Sequence, residues 1–171
     1  NNAGIPYTLV RGNHDFVTTS PPYTTSFYDD YMLELGYDTV VDGWYEEGGT
    51  MAAAYNTVTV GQTKWLILTL DYVYDAQDIA WASNVISAHP DHKVIVTTHA
   101  HLNWAGNWQN PDSARELASK DLWDMLLSQH ENIELMLCGH EHSDTVLANQ
   151  RDGKGQNVVT ESTQLAKSLI P

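Results

Sequence analysis

Three short stretches concentrate the metal-binding and acid–base chemistry of this chain: GNHD at 12–15, HAH at 99–101 and GHEH at 139–142. Five of the eight histidines fall in them, beside an amide, two carboxylates and two glycines. Asn13, His99, His140 and His142 together offer one amide oxygen and three imidazole nitrogens. Such a mixed set suits Zn, Mn, Fe or Ni better than Ca or Mg, which take all-oxygen shells. His14 and Asp15 add an imidazole and a carboxylate directly after Asn13. A lone histidine is ordinarily a hydrogen-bonding residue, and His89, His92 and His130, beside helix ends or in turns, are expected to be structural. At the end of a helix His130 would also meet the negative end of the macrodipole. His101 is expected first as a structural residue and second as one lining the site.

Each stretch ends an apolar run. YTLV (7–10) precedes GNHD, KVIVTT (93–98) precedes HAH, and IELMLC (133–138) precedes GHEH; KWLILTL (64–70) is a fourth run of the same kind. Nearly continuous apolar and β-branched runs predict strands covered on both faces. Helical spacing of Ile79, Ala82, Val85 and Ile86 predicts a helix over 75–89. Ala114, Leu117, Ala118, Leu122, Met125 and Leu126 predict another over 113–130, opened by a Ser113/Glu116 capping box. A weaker helix is expected over 25–36. Hairpins are expected at Gly61-Gln62 and around RDGKGQ (151–156). Strands alternating with helices predict an α/β fold with a mainly parallel core and antiparallel additions at its edges. In such a sheet, ligands bind outside the carboxyl ends of the strands, so the topology would gather the three polar bursts at one edge. Gly12 and Gly139 are expected to permit sharp turns there. If GHEH stays extended, His140 and His142 face the same side.

The composition fits a globular domain of 171 residues, 42% apolar and 18% charged. Eight Lys+Arg against 22 Asp+Glu give a net charge of −14, which disfavours long nucleic acid as a partner and attracts divalent cations. No run approaches the ~18 apolar residues of a membrane span. Cys138, the sole cysteine, excludes an intrachain disulfide and reads as core. Few lysines with many Asn, Thr, Tyr and Trp lean toward a secreted or periplasmic protein. The start at NNAGIPYTLV, without an initiator Met, predicts processing or excision from a longer polypeptide.

With GNHD, a strand-terminal TH at 98–99 and GHEH in that order, the sequence resembles the calcineurin-like metallophosphoesterases. The motifs match three of that family's five signature blocks. The Asp-x-His and Gly-Asp blocks that open the family's pattern do not occur here. Residues 1–171 therefore resemble the C-terminal two-thirds of one such domain, a sandwich of mixed β-sheets flanked by helices. The resemblance implies a phosphomonoesterase or phosphodiesterase with two divalent transition-metal ions (Mn, Fe or Zn) and a bridging hydroxide. It assigns Asn13, His99 and His140 to one metal and His142 to the other. His14 would bind the phosphate or protonate the leaving oxygen, and Asp15 would orient His14. Trp104 and Trp108, in the loop after His99, would bind substrate or simply pack that loop. Without the absent blocks, the alternative is a catalytically incomplete fragment or a single-metal-binding module. Loss of two core strands would also expose sheet edge, predicting a retained N-terminal portion or an oligomeric partner.

Overall fold

The apolar runs of the central region pair in register, and that pairing organises the chain. In the computed structural model, which describes residues 6–17, 27–110, 117–141, 145–150 and 158–163, they form one seven-stranded mixed sheet of order β1-β2-β3-β4-β5-β7-β6. β3 (Thr63–Thr69), β4 (Lys93–Thr97) and β5 (Ile133–Cys138) are parallel, with Leu66 opposite Val94 and Val96 opposite Met136. β7 (Val158–Thr163) continues the parallel set beside β5, and β6 (Thr145–Gln150) closes that side antiparallel to β7. On the other side β2 (Thr50–Val60) and β1 (Gly43–Tyr45) add antiparallel strands. A parallel centre with antiparallel flanks is what the sequence predicts; β2–β3 and β6–β7 both pair antiparallel, and the turn expected around 151–156 lies outside the described residues. The first turns at Gly61, whose φ of 65° favours glycine.

The parallel strands bury one face more deeply than the other. Leu66, Leu68, Val94, Val96 and Met136 pack under Ile79, Ala82 and Ile86 of α2 (Ala76–Ala88) and under Leu122, Leu126 and Leu127. Burying such a side chain contributes roughly 1.5–3 kcal/mol. Ile67, Ile95, Leu135 and Leu137, on the opposite face, are only half-buried. α2 starts where its sequence says it should. The Asp75 carboxylate accepts from the N–H groups of Gln77 and Asp78, and Asp78 reaches back to the Asp75 N–H at 2.9 Å. That reciprocal cap satisfies donors the first turn would otherwise leave open.

Three expectations need correction. Residues 7–10 are not a strand. Their backbone is satisfied by side chains: the Leu9 N–H donates to Tyr37 Oη at 2.9 Å, Tyr28 Oη–H donates to the Leu9 carbonyl at 3.1 Å, and Asn56 Nδ2 donates to the Tyr7 carbonyl at 2.8 Å. The third helix starts later than its apolar stripe suggests, as α3 (Ser119–Leu122), because the Ser119 N–H is drawn to the Gln109 carbonyl at 3.0 Å. Its cap is Asp121, which accepts from the Ala118 N–H at 2.7 Å; Ser113, Ala114 and Glu116 lie outside the described residues. A π turn over Trp123–Leu127 then adds a residue to the repeat, so Trp123 and Leu127 turn inward while Met125 is left 41% exposed. The early helix forms as α1 (Tyr28–Glu34) and ends at Gly36 with φ of 69°. No helix among the described residues is long and apolar enough to cross a membrane.

Candidate metal centre

The loop that carries GNHD is held by its own groups and by a buried ion pair. Asn13–Asp15 form one 3₁₀ turn, closed by the Asp15 N–H on the Gly12 carbonyl at 3.1 Å. The Asp15 carboxylate accepts the Gly12 N–H at 2.7 Å, which fixes the turn from the other direction. Gly12 is extended rather than turned. It must be glycine for a different reason: a Cβ there would lie 2.9 Å from His99 Cε1. The loop thus approaches the imidazole at the end of β4 as closely as backbone can.

Just before it, Arg11 is buried and its guanidinium grips Asp71, Nε to Oδ1 at 2.9 Å and Nη2 to Oδ2. Burial alone would lower the Arg11 pKa, but the hydrogen bond and charge of Asp71 outweigh it, and the group is held above its usual range. Asp71 follows the end of β3, and its carbonyl accepts the Thr98 hydroxyl at 2.9 Å. The pair therefore ties the GNHD loop to the ends of two strands, one of which continues into His99.

His99 and His140 meet at this edge. His99 Nε2 lies 2.9 Å from Asn13 Oδ1 and 3.0 Å from His140 Nδ1. Their rings are edge to face with centroids 4.9 Å apart, and Tyr72, itself buried, packs against both. The peptide after β5 is anchored by the Gly139 N–H on the His99 carbonyl at 2.9 Å. The sharp turn here belongs to His140, at φ of 67°, and not to Gly139. A non-glycine residue in that region carries backbone strain, of order 1–3 kcal/mol, that a functional placement often accounts for. Residues 139–141 are consequently not extended: the Glu141 N–H folds back on the Gly139 carbonyl at 2.8 Å.

Three donor atoms from three segments thus meet, with His99 Nε2 within 3.0 Å of each of the other two. These separations near 3 Å suit a cation whose bonds to N and O ligands are about 2.0–2.2 Å, since donors on one coordination sphere then lie about 3 Å apart. The donor set fits a divalent transition metal. No group of three or more His, Cys, Asp or Glu residues forms a candidate metal cluster among the described residues, so the third donor here is the Asn13 amide. His142 lies outside the described residues.

The remaining predicted residues are spread around this centre. His14 and Asp15 are exposed at the loop's surface. His101 is fully buried. Trp108 stacks on Trp123 at 6.1 Å as part of loop packing, whereas Trp104 is 72% exposed. Arg11, Asp71 and Tyr72 escaped the sequence analysis, although LTLD (68–71) ends a strand in a polar group just as the other runs do.

A family profile described as calcineurin-like phosphoesterase matches residues 1–144. The chain belongs to that family. A curated relative, the "Uncharacterized protein YvnB" of Bacillus subtilis (strain 168), is 24% identical over 156 residues. That match covers 90% of this chain but 11% of YvnB, so the chain spans a small part of the relative's length. Membership implies metal-dependent phosphoester hydrolysis in general terms, with divalent metal as the family's usual cofactor.

Proposed function

We propose that this chain hydrolyses a phosphomonoester or phosphodiester at the edge formed by Asn13, His99 and His140, in a centre that takes two divalent ions, with His142 supplying a ligand to the second. The observation that carries the proposal is that His99 Nε2 lies 2.9 Å from Asn13 Oδ1 and 3.0 Å from His140 Nδ1, side chains brought together from three separate segments. When bound, divalent metal supplies Lewis acidity toward the phosphoryl oxygens and acidifies water.

The chain's own residues divide the remaining work. Asn13, His99 and His140 hold charge in place, and Gly12 leaves room for the close approach of loop to imidazole. His14, exposed next to Asn13, is placed to meet the substrate. In hydrolysis the oxygen of water bonds to phosphorus and the P–O bond to the leaving group breaks. His14 gives a proton to the departing oxygen, a contribution of about 10²–10⁴ in rate. Asp15 sets the loop that presents His14 by accepting the Gly12 N–H.

The test combines metal analysis of the purified chain with hydrolysis of one chromogenic monoester and one chromogenic diester. His14→Ala is expected to impair turnover while metal content persists, and His140→Ala to strip metal. Equal metal loss in both variants would contradict the division of labour. A chain that binds one equivalent of metal and hydrolyses neither ester would instead be a single-metal-binding module.

A further inference from the structure

A groove of about 560 Å³ opens beside the GNHD loop, with His14 and Asp15 among its lining residues. Its walls are otherwise apolar. Leu9, Val17, Phe27, Tyr31 and Leu35 line it while standing 37–67% exposed, although large apolar side chains seldom gather on a surface without a partner. Its floor is built rather than accidental. Phe16 and Tyr28 are buried there, with the Arg11 guanidinium 4.6 Å and 5.7 Å from their ring centroids. The Tyr28 hydroxyl is fixed on the Leu9 carbonyl. The same Arg11 separates this groove from a second cavity of about 440 Å³, lined by Asp29, Glu47, Asp71, Asp75 and Asp78. Those carboxylates would repel an anionic ester, so the two cavities differ sharply in what they accept.

We propose that the apolar groove seats the leaving group of the substrate, and that the ester cleaved is one whose alcohol carries an uncharged aromatic or aliphatic group. The inference rests on the phosphoesterase function proposed above. The phosphoryl group would lie toward Asn13, His99 and His140, with His14 between it and the groove. Aromatic walls offer ring stacking, and a groove of this size takes a bicyclic ring system.

Phosphonates test this without turnover, because their C–P bond is not hydrolysed. Calorimetric titration of the Mn²⁺-loaded chain would compare methylphosphonate, 2-hydroxyethylphosphonate and 1-naphthylmethylphosphonate. The naphthyl compound is expected to bind at least about tenfold tighter than the hydroxyethyl one, from burial of its apolar surface. Tyr31→Ser combined with Leu35→Ser, the first exposed on α1 and the second exposed just after it, should reduce that preference to within about twofold, and Leu35→Ser alone should reduce it in part. Val60→Ser, in the β2–β3 hairpin, should leave the ratio as it is. If methylphosphonate binds but the naphthyl compound gains nothing, or if the double variant keeps its preference, the groove is not the leaving-group seat. If none of the three binds, the phosphoesterase function fails and the groove assignment falls with it.

Discussion

Two histidine pairs in this molecule have nearly the same ring geometry and different partners. His89 and His92 lie with ring centroids 5.2 Å apart at 90°, and His99 and His140 with centroids 4.9 Å apart at 74°. In the first pair the nitrogens are answered locally. His89 Nδ1 meets the Val85 carbonyl at 2.7 Å and His92 Nδ1 meets Asp91 at 2.8 Å, in a turn where Lys64 also binds Asp91. Those partners, Lys64 first and His92 second, hold the Asp91 carboxyl down at about 2. In the second pair the nitrogens face each other and an amide oxygen from a third segment. Ring proximity alone does not make a ligand site; the proposed centre rests on side chains brought together from separate elements. The first pair is built by neighbours in sequence, the second by the ends of two parallel strands and a loop.

The comparison breaks most readily at the metal. His99→Ala or His140→Ala should weaken Mn²⁺ or Zn²⁺ binding by well beyond the ~100-fold that loss of a merely orienting group costs, measured by competition with a chelating dye. The double variant His89→Ala/His92→Ala should leave metal affinity unchanged.

Next in size is the buried pair beneath the loop. Arg11→Met leaves Asp71 buried without its cation, and should lower unfolding free energy by about 3–5 kcal/mol in urea titrations. Adding Asp71→Leu should return much of that stability while metal affinity stays reduced, because the tie from loop to strand ends is still missing. Full recovery of metal affinity in the double variant would show that the pair only stabilises.

A smaller effect separates the acidic cavity from the site. Burial first, and the nearby charge of Asp75 next, push the Asp78 carboxyl up to about 6, against an opposing hydrogen bond from the Asp75 N–H. The folded state then binds its proton more tightly than the unfolded chain does. The contribution is fully present below pH ~4 and lost as pH rises through about 6, amounting to about 2–3 kcal/mol. Asp78→Asn keeps an acceptor for the α2 cap and should flatten this part of the stability profile, as thermal melts between pH 4 and 7 would show. The smallest effect is that of His89→Ala alone, which removes one partly buried hydrogen bond and should cost about 1 kcal/mol.

Much of this was legible in the sequence, for identifiable reasons. β3, β4 and β5 are written as continuous apolar runs, and the β2–β3 turn is marked by Gly61. His99 and His140 could be gathered because each follows a strand whose end the α/β topology brings to one edge, whereas Asn13 follows an apolar run that forms no strand and reaches them through the GNHD loop. What escaped depends on partners far away in the chain. Nothing in YTLV reveals that Tyr28, Tyr37 and Asn56 will take its backbone hydrogen bonds. Arg11 and Asp71 are 60 residues apart and acquire meaning only when buried together. The π turn at Trp123–Leu127 is set by packing and not by composition, and it moves Met125 out of a stripe that periodicity had placed inside. At His140, a left-handed backbone falls on a residue that would ordinarily leave such a position to glycine.

Anomalous diffraction from crystals grown with Mn²⁺ tests the central claim most directly. The account predicts a peak about 2.0–2.3 Å from Asn13 Oδ1, His99 Nε2 and His140 Nδ1 alike, and none beside His89 and His92. An empty map at the strand ends with saturating Mn²⁺, or a peak touching only one of those three atoms, would contradict it.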